Sequence, residues 1–349
     1  MRGSLRILFV GCFRYNCGSS HALLGYARAA KRQNYDLRVS SLGVLDQQIR
    51  EKVRVADNDW TPDLMVLVFE SEKFLTAEAI RRIEQTIPRK RRLIIDPDGK
   101  FSDAVHAGSD TNHPCASSRT FWNELYQQLS DTILQPCLGP IESPAREFLY
   151  FGIDVNRPQL RQSAEKLFDL IYVGNNWYRW HDFVWLLENI KQIRSQLGRI
   201  AVFGNHWFDD PQPGYEEHTY SDPGFLKAHG VETYGSVPFD EVELHMGKGK
   251  LHPIFVRPVL NKMNLVTPRM FETFVTDTVP ILPDYFQHAR ILYGPEVAPL
   301  FLTENPSETI SAIMDKYSEY QSLTREIDNK LKRNHSYDVR LAELLNFGP

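Results

Sequence analysis

The sequence predicts an α/β protein of two domains, each built on a parallel sheet. Three observations carry that expectation. Two stretches, one at the start and one just before the middle, run as apolar strand, polar loop, helix and second strand, the opening unit of a doubly wound sheet. Strand-like and helical runs keep alternating through both halves. The chain has 349 residues, enough for two cores.

In the first half, Arg6–Val10 (RILFV) is an apolar strand closed by Gly11. A polar loop at 12–20 follows, then a helical pattern from His21 to Gln33 and a second strand at Asp36–Ser40. The loop lacks GxGxxG, which disfavours a dinucleotide-dependent dehydrogenase; Gly11, Gly18, Ser19 and Ser20 are at most a weak phosphate cradle. His21 stands at the helix start, where a neutral imidazole could accept a proton; a capping or core role is the alternative. Asp63–Phe69 is the next strand, with Glu70 and Glu72 at its carboxyl end. A helix at Thr76–Thr86 precedes a strand at Arg92–Ile95, which runs into Asp96-Pro97-Asp98-Gly99-Lys100. Two carboxylates with proline and glycine make an ordinary turn, yet a strand-end carboxylate also suits a general base, so Asp96 and Asp98 are candidates. Asp103 and His106 follow closely, and an Asp-x-Asp metal motif at Asp96 and Asp98 is conceivable but weakly supported. A loop at Gly108–Ser118, a helix at Thr120–Leu129 and a strand at Thr132–Leu134 come next, then a short strand at Phe148–Ile153. The domain boundaries fall at 1–157, 158–334 and 335–349.

The second half opens with the strand Phe168–Gly174. Asn175, Asn176 and Arg179 lie in the polar turn before a helix over 180–196, where exposed N–H groups and one guanidinium suit a phosphate. Arg199–Phe203 leads into Gly204-Asn205-His206-Trp207, and His206 with Asp209 or Asp210 does not converge as a metal site on sequence alone. Residues 208–224 read as an insertion or lid. A strand and turn at Val231–Val237 and a strand at Pro253–Val259 lead to Asn261–Leu282, a polar loop, short helix and apolar strand. Thr267 is a candidate N-cap, and Pro268 suits the first turn. Arg269 and Glu272, three apart, share a face near a positive helix terminus. A surface ion pair explains them equally; a nucleotide, anionic and hydroxylated, fits them as a site. Lys262 precedes them in the loop. The last helices are predicted at Ser307–Tyr320, Leu323–Asn334 and Tyr337–Leu345.

The net charge of −4 makes no electrostatic case for nucleic acid or a membrane surface. The run RKRR at 89–92 reads as a solvated turn. Cys12, Cys17, Cys115 and Cys137 form no CxxC or zinc spacing and read as reduced thiols of a cytoplasmic protein. No stretch is long enough for a membrane span.

The run RMFETFVTDTVPIL resembles the donor-binding segment of two-domain GT-B glycosyltransferases, especially the spore-maturation CgeB-like group. YVGNNWYRWHDFVWLL resembles that group's strand and donor loop, and NHSYDVRLAELL its closing helix. The resemblance implies two Rossmann-like domains facing across a cleft, with the C-terminal helix crossing back to the first. Glu272 would then bind the ribose, with Arg269, Gly174, Asn175, Asn176, Arg179, Asn205 and the turn at Val237 also on the donor. It implies a transferase taking a sugar from a nucleotide diphosphate, UDP favoured, to a hydroxyl or amine, without a bound metal. Asp98 or His21 would be the base if the reaction inverts. Two departures stand out: the first of the family's two glutamates is Asn264, and its turn glycine is Asp277. A sugar-nucleotide epimerase and a non-catalytic sugar-nucleotide-binding protein are the alternatives, the latter favoured by Asn264.

Overall fold

The computed structural model describes residues 4–69, 74–102, 119–155 and 165–348. Glu70, Glu72, Asp103, His106, Cys115 and the loop at 108–118 lie outside the described residues. Two compact units divide the chain. The first is Met1–Val155 with Lys262–Pro268 and Lys332–Pro349; the second is Asn156–Asn261 with Arg269–Leu331. Among the described residues, the α-helices of seven or more residues are α1 (Gly18–Arg32), α2 (Ala77–Thr86), α3 (Arg119–Leu129), α4 (Trp180–Asn189), α5 (Arg269–Val275), α6 (Pro306–Asp315), α7 (Tyr317–His335) and α8 (Tyr337–Leu345). None of the described helices is long and apolar enough to cross a membrane.

The first unit is built on β1 (Arg6–Phe13), β2 (Asp36–Leu45), β3 (Arg54–Val55), β4 (Leu64–Val68), β5 (Arg92–Ile95), β6 (Thr132–Gln135) and β7 (Arg146–Glu147). They pair in parallel in the order β3-β2-β1-β4-β5-β6-β7. Ile7, Leu8, Phe9 and Val10 of β1 are all buried, which explains why that run is apolar without alternation. Leu8, Val10, Met65 and Leu67 pack with Ile83 of α2 and Trp122, Leu125 and Tyr126 of α3.

The C-terminal helix α8 belongs to this first unit and packs on α1. Ser336 caps it, accepting a hydrogen bond from the Val339 N–H. Tyr26 of α1 donates to the Tyr150 carbonyl at 2.8 Å, stacks on the Tyr150 ring and meets Tyr337 edge-on. Arg32 pairs with Asp338 at the rim. Gly25 lets the two helices meet, since a Cβ there would lie 2.2 Å from the Tyr337 ring. Gly25→Ala is therefore expected to destabilise by about 1–3 kcal/mol through overpacking, read as a lowered midpoint in denaturant.

The second unit carries β8 (Phe168–Val173), β9 (Ile200–Phe203), β10 (Val231–Tyr234), β11 (Gly249–Pro253) and β12 (Val279–Ile281). Their order is β10-β9-β8-β11-β12, again all parallel. The order reverses between β8 and β11, the switch point of a doubly wound sheet.

Several local expectations need correction. Phe148–Ile153 is no strand beyond a single bridge at Ile153. Its buried aromatics anchor the start of α8 instead, with the Ile153 N–H donating to the His335 carbonyl and the Tyr337 N–H to the Ile153 carbonyl. The strand expected over Pro253–Val259 ends at Pro253, because Pro258 opens a short helix at Pro258–Lys262. The helix expected over 180–196 breaks at Ile190 and continues as a 3-10 turn at Lys191–Gln196. The boundary between the last two long helices falls at Lys316, earlier than expected. The segment 208–224 holds one helical turn, Glu216–Thr219.

Candidate functional site

Doubly wound sheets bind ligands outside the carboxyl ends of their strands, where the order reverses. In the second unit the loops leaving β8 and β11 flank that point. The β8 loop begins at Gly174 and is tied to the loop after β9. The Gly174 N–H donates to the Phe203 carbonyl at 2.7 Å, the Asn176 N–H to the Asn205 carbonyl at 3.0 Å, and the Asn205 N–H to Asn175 Oδ1 at 2.9 Å. The Trp207 indole N–H donates to the Gly174 carbonyl at 2.8 Å. Gly204, at φ +144°, allows this approach: a Cβ there would sit 2.3 Å from the Gly174 carbonyl oxygen. Tyr178 and His206 also take left-handed backbone, at φ 59° and 65°, so both loops are held in conformations that ordinary residues seldom adopt.

The two asparagines have different places. Asn176 is fully buried, and its amide donates to the His206 and Tyr220 carbonyls, so it holds the loop together. Asn175 and Asn205 are exposed above the strand ends. Arg179 is half-buried at the N-cap of α4, with one guanidinium N–H on the Trp177 carbonyl at 2.5 Å. Val237 follows β10 and packs half-buried on the Phe168, Ile171 and Phe203 cluster.

Arg269 comes to this loop from α5. A Cβ on Gly174 would lie 3.0 Å from Arg269 Nη2, and the guanidinium carbon sits 6.0 Å from the Tyr172 ring centroid. The helix begins at Arg269, so Pro268 precedes the first turn rather than occupying it. Glu272 is one turn further on, half-buried. Neither forms an ion pair with the other or with any described residue. The pair is thus no closed surface salt bridge: Arg269 donates only to the Met246 sulfur, at 3.9 Å, and the Glu272 carboxylate has no partner among the described residues.

Sequence reasoning passed over three groups here. Arg257, four residues past the end of β11, holds its guanidinium carbon 5.9 Å from the Trp177 ring centroid. Asp182, in the first turn of α4, accepts the Tyr285 hydroxyl at 2.7 Å. Burial raises the Asp182 carboxyl above its ordinary range, and burial, followed by Asp182 itself, raises the Tyr285 phenol. An arginine shortly after a strand was the available signal for Arg257. Nothing in the sequence pairs Asp182 with Tyr285, which come from distant segments.

Two histidines of this unit are held neutral. Burial depresses His252 well below its ordinary value, with the nearby Arg269 charge adding to the effect, and burial depresses His288 to about 4. Their folded values lie below the unfolded ones. The stability they support is therefore complete above pH 6.5 and is lost as pH falls from there toward 4. Between pH 7 and 5 the unfolding free energy is expected to drop by about 2 kcal/mol from His288 alone. Urea denaturation of wild type and His288→Gln should show the slope flattened in the variant.

In the first unit the structure separates the two candidate carboxylates. Asp96 is fully buried and accepts four hydrogen bonds, from the Lys100 and Phe101 N–H groups, the Tyr126 hydroxyl and the Gln135 amide. It organises the turn. Asp98 keeps part of its carboxylate in solvent and accepts from Lys100 Nζ at 2.8 Å. Lys100 is itself fully buried and also donates to the Phe69 carbonyl at 2.8 Å. His21 lies in the first turn of α1, its Nε2 2.8 Å from the Tyr15 carbonyl; Nε2 donates, which leaves Nδ1 as the basic nitrogen. Asn264 has φ 52°, a left-handed turn that asparagine adopts more readily than glutamate, and its carbonyl accepts from the Leu138 N–H. Asp277, in place of a turn glycine, pairs with Lys166 at 2.5 Å. Among the described residues no three His, Cys, Asp or Glu side chains group as a metal site.

No family model matches the chain, and no curated protein matches it. Solved structures do. T4 phage β-glucosyltransferase, also determined in complex with its UDP-glucose substrate, aligns over 98% of this chain and 99% of its own, with TM-score 0.63 and 13% identity. An α-glucosyltransferase in complex with UDP-glucose and DNA containing an abasic site aligns over 99% of both chains, with TM-score 0.70 and 12% identity. The T4 phage enzyme in complex with UDP and Mn2+ aligns with TM-score 0.57. The chain has the GT-B fold of these proteins along nearly its whole length.

Proposed function

We propose that the protein is a glycosyltransferase that moves a sugar from a uridine diphosphate donor to a hydroxyl acceptor. The observation that carries this reading is Glu272: a half-buried carboxylate with no partner among the described residues, one turn beyond an arginine held against the first glycine of the switch-point loop. A carboxylate accepts both hydroxyls of a ribose, and a guanidinium meets a diphosphate. In this reading Glu272 takes the ribose, and Arg269 with Arg179 faces the diphosphate. Asn175 and Asn205 offer amides to the remaining polar atoms. Scission of the bond between the sugar's anomeric carbon and the phosphate oxygen leaves negative charge on the diphosphate, which the two arginines offset. The acceptor oxygen forms the new bond to that carbon and gives up its proton, for which Asp98 is the proposed base and His21 the second choice.

The neighbours' donor, UDP-glucose, is the first to try. Within the fold, the RMFETFV segment favours membership of the CgeB-like group. The left-handed turn gives Asn264 a backbone reason to be asparagine, which supports reading it apart from catalysis. The charge on the leaving group is met by side chains, and we expect turnover to persist in EDTA. The cysteine pattern fits a reducing compartment such as the cytoplasm.

The experiment is a thermal-shift panel of uridine, guanosine, adenosine and thymidine diphosphates, followed by UDP-glucose consumption with and without acceptors. Stabilisation by uridine diphosphate above the others, with consumption that requires an acceptor, supports the reading. Conversion of the donor without an acceptor would instead identify an epimerase.

A further inference from the structure

The first unit contains a cavity of about 350 Å³ that the donor reading does not use. It lies on the face of the sheet over β1, β2 and the start of β4, beside α2. Its floor is Leu8, Val10, Met65 and Ile83, all buried and apolar. It exists because of the connection from β2 to β4. That connection holds only a four-residue helix, Gln47–Arg50, and the two-residue β3, so no crossover helix lies over this part of the sheet. The helix that does cover this face, α2, packs through Ile83 and leaves the β2 side open.

The lining is not that of an unfilled core. Besides Leu42, β2 lines it with Ser40 and Ser41, and α2 is bracketed by Thr76 and Thr86. Three of these four hydroxyls are locally engaged. Ser41 accepts from the Gly43 N–H, Thr76 from the Ala79 N–H, and Thr86 donates to the Arg82 carbonyl. Ser40 has no side-chain partner among the described residues, so its hydroxyl is available inside the cavity. One wall is the Phe74 ring, seated on Gly43, where φ is +144° and a Cβ would lie 2.4 Å from the ring. Glu78 and Arg82, one turn apart on α2, line the cavity from an exposed position, and neither is paired with a described residue. Among the described lining residues they supply one charge of each sign.

We propose that this cavity is a second small-molecule site, for a net-neutral amphipathic compound with a flat or branched apolar body and a hydroxyl. The volume lies in the range of natural ligand pockets, at the small end. The apolar body rests on Leu8, Val10, Met65 and Ile83 against Phe74, and the hydroxyl meets Ser40. The site stands independently of the donor reading, since every lining residue belongs to the first unit.

The test titrates 4-methylumbelliferone, a neutral planar phenol near pH 6.5, into the full chain and follows its fluorescence. Saturable one-site binding is expected. Ala79→Trp, which fills the cavity from the surface of α2, should weaken it at least tenfold. Ser40→Leu should weaken it several-fold while melting at the wild-type temperature. Glu272→Ala should bind the phenol as wild type does, which separates this site from the donor site. Non-saturable binding, or unchanged affinity in both cavity variants, would overturn the proposal.

Discussion

Glu272→Ala is expected to abolish stabilisation by uridine diphosphate and to leave the unliganded protein melting where wild type does. The two halves of that expectation have separate causes. Glu272 makes no hydrogen bond or ion pair with described residues and is only half-buried, so truncating it frees no partner and opens no core cavity. Its contribution appears only when a ligand supplies the hydroxyls. A ligand at about 100 times its dissociation constant stabilises by about 2.7 kcal/mol. Hydrogen bonds to a charged group are each worth about 1.5–3 kcal/mol, so losing both ribose contacts lowers affinity by about 10²–10⁴ and removes most of the shift. Arg269→Ala gives a useful contrast. That guanidinium packs near Tyr172 and against Gly174, so its loss should cost both ligand binding and some unliganded stability. A Glu272→Ala protein that still shifts fully with uridine diphosphate would remove the basis of the donor assignment.

The legibility of this chain in its sequence divides along a physical line. Features set by local pattern were readable. The apolar runs at Arg6–Val10 and Phe168–Val173 are buried parallel strands, and the helix at Ala77–Thr86 carries its Thr76 cap. Features set by where hydrogen bonds go across long separations were not. Phe148–Ile153 has a strand's composition, but it keeps only the Phe148 N–H bond to the Gln135 carbonyl of β6, and at its other end Ile153 bonds His335 and Tyr337, nearly two hundred residues away in the chain, so it leaves the sheet for the start of a helix. The two asparagines after Gly174 look alike in sequence; the His206 and Tyr220 carbonyls decide that Asn176 is structural and Asn175 exposed. Asn264 read as a lost carboxylate, and its left-handed φ gives it a different reason to be there. The cavity over β1 and β2 had no sequence signal, because it arises from a helix the connection lacks.

The same division separates Asp96 from Asp98, two residues apart in one turn, and sets the second large expected effect. Asp96→Ala strips the acceptor from four donors at once, two of them backbone N–H groups at the turn and two buried side chains. Removing one partner from such a buried charged network costs about 3–5 kcal/mol, so this variant should unfold at markedly lower urea whatever its activity. Asp98→Asn is a milder change. The amide oxygen still accepts from Lys100 Nζ, so the buried ammonium keeps its bond and its contact over the Trp122 ring. The amide does not replace the carboxylate's charge beside the buried ammonium, so stability should fall as well, while the uridine diphosphate shift should stay at the wild-type value. The capacity to take a proton is lost, and turnover should fall by about 10²–10⁴, the usual contribution of a positioned general base. The anomeric configuration of the product is the independent check. An inverted product with a slow Asp98→Asn enzyme makes Asp98 the base; a retained product with a fast variant shows a reaction that needs no base at that position and leaves Asp98 as the group that orients Lys100.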